Sequence, residues 1–126
     1  MKQDCLFCRI VRGEIPADFV YQDKEVYVFR DINPLAPVHL LIIPKKHLEG
    51  IQTVEKKDQA LLGKLLLTAR KMAEKEKLKG YKLFINCGKL GGQGVFHLHL
   101  HLVGGWKSRA EFRRILKEKF EEGGVL

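Results

Sequence analysis

The sequence lacks long hydrophobic runs. No apolar stretch approaches the roughly 20 residues needed to span a bilayer, and the polar start, Met1 to Asp4, is not followed by the apolar segment of a secretory signal. Internal repeats, low-complexity segments and linkers are also lacking. We therefore expect a cytoplasmic protein with no membrane partner. Its 126 residues fit one domain that can bury a core without disulfides.

Cysteine is scarce, with three residues in the chain. Cys5-Leu6-Phe7-Cys8 has the C-x-x-C spacing, which in a reducing compartment indicates a metal site or a redox pair more than a structural disulfide. The alternative is that both cysteines are simply small buried residues. Cys87 has no partner by spacing, and we expect it to lie in the core.

Acidic residues are outnumbered: 15 Asp and Glu stand against 23 Lys and Arg, for a formal charge of +8. A basic surface attracts polyanions, so nucleotides and nucleic acid are both plausible ligands. A solvated Lys/Glu surface, of the kind thermophile proteins favour, is an equally good interpretation. The lysines are spread along the chain, and charge alone does not decide.

Hydrophobic periodicity predicts an α+β protein. An apolar stripe of 3.6-residue period predicts one long helix from Val54 or Glu55 to Leu78, stopped by Gly80. The pattern also predicts an amphipathic tail helix from Ser108 to Glu122, which begins at a serine cap. A helical turn or two is expected near the N-terminus, at Cys5 to Val11. β-branched and aromatic runs predict strands, at 19–21, 26–29, 39–43, 81–86 and 95–103. About five strands with one main helix suggest an antiparallel sheet.

Three histidines alternate with leucines in the run from His97 to His101. Successive side chains of a strand point to opposite faces, so the imidazoles should share one face while Leu98 and Leu100 pack into the core. His97 and His101 would lie roughly 13 Å apart along a strand. One zinc ion, with zinc–nitrogen bonds of about 2.0–2.1 Å, cannot easily hold both. We therefore expect the three histidines to have different tasks.

A glycine-rich loop, Gly88 to Gly94, leads directly into this run. Its glycines permit close backbone approach and present N–H groups to an anion, although the loop alone is also typical of a hairpin turn. An anion held by backbone amides beside an imidazole suits phosphoryl or nucleotidyl transfer. Imidazole is substantially unprotonated near neutral pH, so we interpret His99 as a nucleophile acting on a nucleotide phosphate.

The run from His97 to Val103 matches the signature of the histidine triad (HIT) family, His-φ-His-φ-His-φ-φ, where φ is apolar. The segments 31–34, 39–47 and 86–96 also resemble this family, in particular its Hint branch of nucleoside phosphoramidases. The resemblance extends from Cys5 to about Trp106. It implies a HIT-like fold whose sheet continues across a homodimer. It also implies a HIT domain of residues 1–106, and we expect residues 107–126 to form a helical extension packed on the same domain.

The resemblance implies a role for each residue of the site. His99 would attack the α-phosphorus and form a nucleotidyl-histidine intermediate, while His101 and His39 would hold and polarise the site. Asp31 would accept hydrogen bonds from the ribose hydroxyls, for which a carboxylate is suited, although an aspartate that opens a proline-containing turn is equally typical of this position. The other implied contacts are those to phosphate, from Asn86, Gln93 and the backbone of Gly92 and Gly94, and those to the base, from Leu6, Phe7, Ile10, Phe29 and Ile32.

The resemblance also bears on the C-x-x-C pair. Family members with this motif look like zinc binders that use two cysteines, a histidine after Lys-Lys and the first triad histidine. Here these are Cys5, Cys8, His47 and His97, which would form a closed structural site. No organic cofactor is implied.

The implied function is hydrolysis of purine nucleoside phosphoramidates or acyl-nucleotides, with AMP or GMP derivatives as substrates. One alternative is a dinucleoside polyphosphate hydrolase or nucleotidyltransferase of the same family. Another is a non-catalytic nucleotide or nucleic-acid binding module, against which the intact triad argues. Two departures leave specificity open: Gly94 stands where many members have serine, and the tail from Lys107 differs from the C-terminus of the Hint branch.

Overall fold

The computed structural model describes the backbone of residues 4–121 and the side chains of residues 4–119. Five strands form one antiparallel sheet of order β1-β2-β3-β5-β4, which confirms the predicted α+β class. The strands are β1 (Asp18–Gln22), β2 (Val26–Arg30), β3 (Val38–Pro44), β4 (Tyr81–Phe84) and β5 (Leu100–Gly104). The helices are α1 (Leu6–Val11), α2 (Gln59–Lys75) and α3 (Arg109–Glu121). Short 3-10 turns lie at Ile51–Thr53, Lys56–Asp58 and Lys89–Gly91.

The sheet separates two apolar layers. Alternate residues of β2, β3 and β5, together with Leu98, pack against the buried stripe of α2 and form the main core, which includes Val28, Leu40, Ile42, Leu65 and Leu102. On the opposite face, Leu41 of β3 stands directly across from His101 of β5. A second cluster of Phe7, Ile10, Phe29, Leu41 and Ile43 covers part of that face. The histidine side of the sheet is therefore the side on which α1 lies.

The long helix is shorter than the sequence predicted. It begins at Gln59 because Lys56–Asp58 forms a 3-10 turn, held by Asp58 Oδ2, which accepts a hydrogen bond from the Glu55 amide at 3.0 Å. It ends at Lys75, so Gly80 is not its stop signal. Lys77 adopts a left-handed conformation with φ of 57°, and the Leu78 amide donates to the Ala73 carbonyl at 3.0 Å. This hydrogen bond closes the end of the helix in the usual left-handed way.

The strand predicted from Val95 to Val103 is also shorter, because regular pairing begins only at Leu100. The Leu98 amide donates to the Leu48 carbonyl at 2.7 Å instead of to a neighbouring strand. Even so, Leu98 and Leu100 enter the main core as predicted. The alternation of histidines and leucines thus continues beyond the end of the ladder.

The tail helix α3 begins where its serine cap predicted, since the Glu111 amide donates to Ser108 Oγ at 3.1 Å. Phe112 packs edge-on against Trp106, with ring centroids 4.7 Å apart. The predicted helix residue Glu122 and the apolar side chain of Phe120 lie outside the described part. Among the described residues, no helix combines the length and apolar character needed to cross a bilayer.

Candidate functional site

The three histidines of the run are all buried, with exposed fractions of 0 to 2%. His97 belongs to a cluster with Cys5, Cys8 and His47, whereas His101 belongs to a separate cluster with Asp31 and His39. His99 lies between the two. The structure therefore divides the run into three environments, as the strand spacing suggested.

The ligand atoms of the first cluster are close to one another. His97 Nδ1 is 3.2 Å from His47 Nδ1, 3.4 Å from Cys5 Sγ and 3.5 Å from Cys8 Sγ. Cys8 Sγ is 3.3 Å from His47 Nδ1. A tetrahedral zinc site, with bonds of about 2.0–2.1 Å to nitrogen and about 2.3 Å to sulfur, has edges of roughly 3.3–3.7 Å. The four residues therefore fit a tetrahedral metal site, and their soft sulfur and imidazole donors favour zinc.

Hydrogen bonds prepare His97 for this task. Its Nε2 donates to the Pro44 carbonyl at 2.7 Å, so the ring of a neutral His97 presents a lone pair at Nδ1, the atom that faces the cysteines. Burial lowers the pKa of His97 to about 4, which keeps the ring neutral near pH 7. The Cys8 amide approaches Cys5 Sγ at 3.4 Å and so supports the first ligand.

His99 is oriented by the backbone of the same segment. Its Nδ1 lies 2.7 Å from the His97 carbonyl oxygen, to which it can only donate. A neutral His99 then carries its lone pair on Nε2, the tautomer that a nitrogen nucleophile needs. Phe7 of α1 packs edge-on against the ring, with centroids 5.1 Å apart.

A second set of hydrogen bonds fixes the tautomer of His101. The Leu35 amide donates to His39 Nδ1 at 3.0 Å, so the proton of a neutral His39 lies on Nε2. His39 Nε2 is 2.9 Å from His101 Nδ1, which must then accept. The proton of His101 is consequently on Nε2. Phe84 stacks on this ring, with centroids 4.4 Å apart and planes inclined by 5°.

Burial is the largest cause of the low pKa values of this pair. It lowers the pKa of His101 to about 2, with smaller contributions from His99 and His39. It also lowers the pKa of His39, although the nearby Asp31 carboxylate acts in the opposite direction. Both rings are therefore neutral near pH 7, which is the state that the hydrogen bonds require.

These pKa values predict that acid destabilises the protein. Unfolded histidines bind protons below about pH 6.5, whereas the folded chain keeps His101 neutral to much lower pH. The free energy of unfolding should therefore fall below pH 6.5, by up to about 1.4 kcal/mol per pH unit for each histidine held neutral. Urea unfolding at pH 7, 6 and 5 measures this slope.

The His101→Asn variant is the matched control, because it removes one titrating ring and leaves the acid lability of the zinc-type cluster unchanged. The variant should take up about one proton fewer on unfolding between pH 6 and 5. The slope of its free energy of unfolding against pH should therefore be smaller by about 1.4 kcal/mol per pH unit. An identical slope in both proteins would show that His101 is not held neutral.

Two buried donors point to an anion. Asn86 Nδ2 and His101 Nε2 are both inaccessible and have no hydrogen-bond partner among the described residues. Buried donors are nearly always paired, and each unpaired one costs about 1–3 kcal/mol. Asn86 follows β4 beside Gly92, whose φ of 89° favours glycine, and a Cβ added to Gly92 would lie 4.0 Å from Asn86 Cγ. Each of these two donors is therefore available to donate to an anionic ligand.

Gln93 has a different environment from that of Asn86. Its Nε2 donates to the Glu49 and Val95 carbonyls at 2.7 and 3.1 Å. Its Oε1 accepts from Gln52 Nε2 at 3.2 Å and from the Gly88 amide at 2.9 Å. The side chain thus ties the glycine-rich loop together. Its phosphate contact stays a prediction, and that contact requires one of these bonds to be exchanged.

A largely apolar cavity of about 170 Å³ opens beside α1 and the end of β2. Asp31 lies on its wall, is 7% exposed and holds the turn through Oδ1, which accepts from the Asn33 amide at 2.8 Å. Ile32 is at the rim and is 84% exposed. All the residues predicted for the base and ribose line this cavity, namely Leu6, Phe7, Ile10, Phe29, Asp31 and Ile32.

Sequence reasoning missed several groups of the site. The Leu35 amide, the Pro44 carbonyl and the stacked ring of Phe84 carried no sequence signal, because their roles depend on tertiary contacts. Ile15 and Ala17 also line the cavity, although no sequence pattern marked them as site residues. Cys87 is exposed, so the prediction that it lies in the core is wrong. The turn after β4 carries it out of the sheet.

Comparison with known proteins identifies the family. The HIT domain pattern matches residues 12–108. The chain belongs to the HIT family. It is 50% identical over 106 residues to an uncharacterized HIT-like protein of Synechococcus elongatus, a match that covers 83% of this chain and 93% of the relative.

Solved structures of HIT proteins share the fold described here. A HIT family hydrolase from Legionella pneumophila is 53% identical, with a TM-score of 0.80 over 81% of this chain and 93% of that one. A zinc-bound histidine triad family protein from Mycobacterium smegmatis is 31% identical, with a TM-score of 0.73 over 84% and 78%. A histidine triad nucleotide-binding protein from Candida albicans is 29% identical, with a TM-score of 0.73 over 94% and 99%.

Proposed function

We propose that this HIT protein is a hydrolase of the Hint type, which acts on purine nucleoside phosphoramidates or acyl-nucleotides through a covalent nucleotidyl-His99 intermediate. The observation that carries the proposal is that two adjacent imidazole rings present a lone pair and a hydrogen-bond donor, respectively. The His99 ring offers a lone pair at Nε2, while the His101 ring, 4.9 Å away between centroids, offers a buried N–H that has no acceptor among the described residues. Displacement at a phosphoryl group needs a lone pair that attacks phosphorus and a donor that binds the phosphate oxygens.

Substrate recognition follows from the cavity beside these rings. Its apolar wall suits a purine base, and the Asp31 carboxylate suits the two ribose hydroxyls. A nucleoside seated there directs its 5′-phosphate toward His99, because Phe7 forms part of the cavity wall and also packs on the His99 ring. Asn86 Nδ2 and His101 Nε2 would then donate to the phosphate oxygens, and a basic chain attracts such an anion.

The proposed chemistry has two displacements. His99 Nε2 forms a bond to phosphorus, and the bond from phosphorus to the leaving nitrogen or acyl oxygen breaks, with the electron pair leaving on that atom. A leaving amine takes its proton from water. The His97 carbonyl stabilises the imidazolium through the His99 Nδ1 hydrogen bond. Water then forms a bond to phosphorus, and the bond from phosphorus to His99 Nε2 breaks, with its electron pair returning to Nε2. This step releases the nucleotide and a proton and returns His99 to its neutral form.

A substrate panel tests the reaction class. We expect adenosine 5′-phosphoramidate to be hydrolysed with a kcat/KM at least about tenfold above that of diadenosine polyphosphates. The cavity beside α1 holds one nucleoside, so the second nucleoside of a diadenosine polyphosphate gains no binding energy there. The reverse order would favour a dinucleoside polyphosphate hydrolase, and transfer to a second phosphate would favour a nucleotidyltransferase. Salt-sensitive oligonucleotide binding without turnover of any substrate would contradict the proposal.

We also propose that the cluster of Cys5, Cys8, His47 and His97 binds one structural zinc ion. The tetrahedral spacing of its four donors supports this, as does the zinc-bound state of the similar Mycobacterium smegmatis protein. Four protein ligands leave no open position, so zinc would stabilise the fold there and would not contact substrate.

The remaining proposals concern assembly and location. β4 is an edge strand on which Tyr81 and Leu83 are partly exposed, which supports a homodimer whose sheets join at that edge. Light scattering at low concentration tests this, and a monomer would contradict it. We propose that residues 1–106 form the HIT domain and that residues 107–126 form a helical tail packed on it. We also propose a cytoplasmic location.

A further inference from the structure

A third apolar cluster adjoins the His39–His101 pair. We call it the Leu35 cluster, and it consists of Leu35, Ala36, Phe84, Val103 and Trp106. Val103 stands directly across from His39 in the pairing of β3 with β5, and Phe84 stacks on the His101 ring. The cluster therefore covers the histidine side of the sheet next to both members of the pair.

The Leu35 amide orients this pair. It donates to His39 Nδ1 at 3.0 Å and so places the proton of a neutral His39 on Nε2, which is 2.9 Å from His101 Nδ1. Among the described residues, the peptide group that joins Pro34 to Leu35 makes no other hydrogen bond. The direction of this amide therefore depends on the packing of the Leu35 side chain, which is buried in the cluster.

Trp106 reaches the cluster through a glycine turn after β5. Gly105 has φ of 88°, and a Cβ added there would lie 3.2 Å from Pro37 Cβ and from Val38 Cγ2. The chain thus passes close to the start of β3, and the next side chain packs on the cluster. The Trp106 Nε1 atom is inaccessible and has no hydrogen-bond partner among the described residues, so packing holds the indole.

The tail helix α3 supports this indole. Phe112 packs edge-on against it, with ring centroids 4.7 Å apart. The Phe112 amide donates to the Ser108 carbonyl at 3.0 Å, which fixes Phe112 in the first turn of the helix. Trp106 is therefore in contact both with α3 and with the cluster that adjoins the histidines.

We propose that Trp106 is a positioning residue: supported by Phe112, it packs on the Leu35 cluster and keeps the Leu35 amide directed at His39. The inference rests on the proposed function, because the pair carries the His101 Nε2 donor that would bind phosphate. It adds a catalytic task for α3. Since Trp106 does not line the nucleoside cavity, it acts on the chemistry and not on recognition of the nucleoside.

Kinetics of the Trp106→Ala variant separate these two effects. We expect kcat for adenosine 5′-phosphoramidate to fall about tenfold or more, because a small misplacement of a group that binds the transition state is costly. The dissociation constant for adenosine, which has no phosphate, should change by less than about twofold. Trp106→Phe keeps an aromatic ring in the cluster, and its kcat should stay within about threefold of the parent value.

Nitrogen-15 NMR of the full chain tests the positioning without turnover, because long-range nitrogen–proton correlations report the tautomer of each histidine. In the parent protein and in Trp106→Phe, we expect His101 to be protonated on Nε2 alone. In Trp106→Ala, the Leu35 amide loses its support, and His101 should become a mixture of two tautomers. Phe112→Ala leaves Trp106 in place without its support from α3, and it should also show a mixture.

Phe19→Ala is the matched control. Phe19 is half-exposed and packs on Tyr27, outside the Leu35 cluster, so this variant should keep the single His101 tautomer and the parent kcat. The inference is overturned if a folded Trp106→Ala keeps the single tautomer or the parent kcat, or if Phe19→Ala changes His101 to the same extent. Should Trp106→Ala not fold, a single tautomer in Phe112→Ala overturns it. A mixture in Trp106→Ala, with no hydrolysis by the parent protein, would support the positioning and contradict the proposed function.

Discussion

The His99→Ala variant should lose hydrolysis of adenosine 5′-phosphoramidate, with kcat/KM reduced on the order of 10⁴-fold or more. The His99 imidazole offers the lone pair of Nε2 to phosphorus, because its Nδ1 is committed to the His97 carbonyl. His101 cannot replace it, since its Nδ1 accepts from His39 and its Nε2 carries the proton. Steady-state kinetics on variant and parent protein measure the loss.

AMP binding separates chemistry from recognition in this variant. The cavity is lined by Leu6, Phe7, Phe29 and Asp31 but not by His99, so the dissociation constant for AMP should change by less than about threefold. Added imidazole should restore part of the rate to His99→Gly by filling the vacated space. Turnover that persists in His99→Ala at the level of the parent protein would refute the role of His99.

The second large effect concerns the four-ligand cluster. We expect the Cys8→Ser variant to bind less than one zinc ion per chain and to lose about 4 kcal/mol or more of its free energy of unfolding. Apparent binding energies of structural zinc are about 10–16 kcal/mol, and that energy contributes to folding. Metal analysis and urea unfolding at constant zinc concentration measure the two quantities.

The third cysteine of the chain supplies the matched control. Cys87 is exposed and lies outside the cluster, so Cys87→Ser should keep its zinc and change the free energy of unfolding by less than about 0.5 kcal/mol. The double variant Cys5→Ser/Cys8→Ser should lose the metal while part of its activity survives, because none of the four ligands contacts phosphorus. Complete and specific loss of the chemistry in a folded double variant would place zinc in the reaction.

Much of the fold could be predicted because its strands and main helix have clear local periods. Leucines at 98, 100 and 102 face the α2 side, and the histidines face the other. The ends of elements could not be predicted, because they depend on distant groups. The Leu98 amide meets the Leu48 carbonyl, and the left-handed turn at Lys77 ends a helix whose sequence pattern continues.

The sequence predicted which residues form the candidate site, but not the hydrogen bonds that orient them. Spacing arguments separated His97 from His101 and marked Cys5 and Cys8 as a metal or redox pair. Family resemblance added His47 and joined it to His97 and the two cysteines. Which nitrogen of each ring carries a proton depends on the Pro44 carbonyl, the His97 carbonyl and the Leu35 amide, and backbone groups have no signature in a sequence. The internal bonding of the Gln93 amide was hidden for the same reason.

The central claim is that His99 Nε2 becomes bonded to phosphorus during turnover. Rapid quenching of the enzyme with excess adenosine phosphoramidate, followed by peptide mass mapping, tests this most directly. We predict one adenylyl group per chain, on the peptide that contains residues 97–101 and specifically on His99, formed and lost at rates that match turnover. A protein that turns over while no adduct accumulates, and whose product forms with a single inversion at phosphorus, would contradict the account.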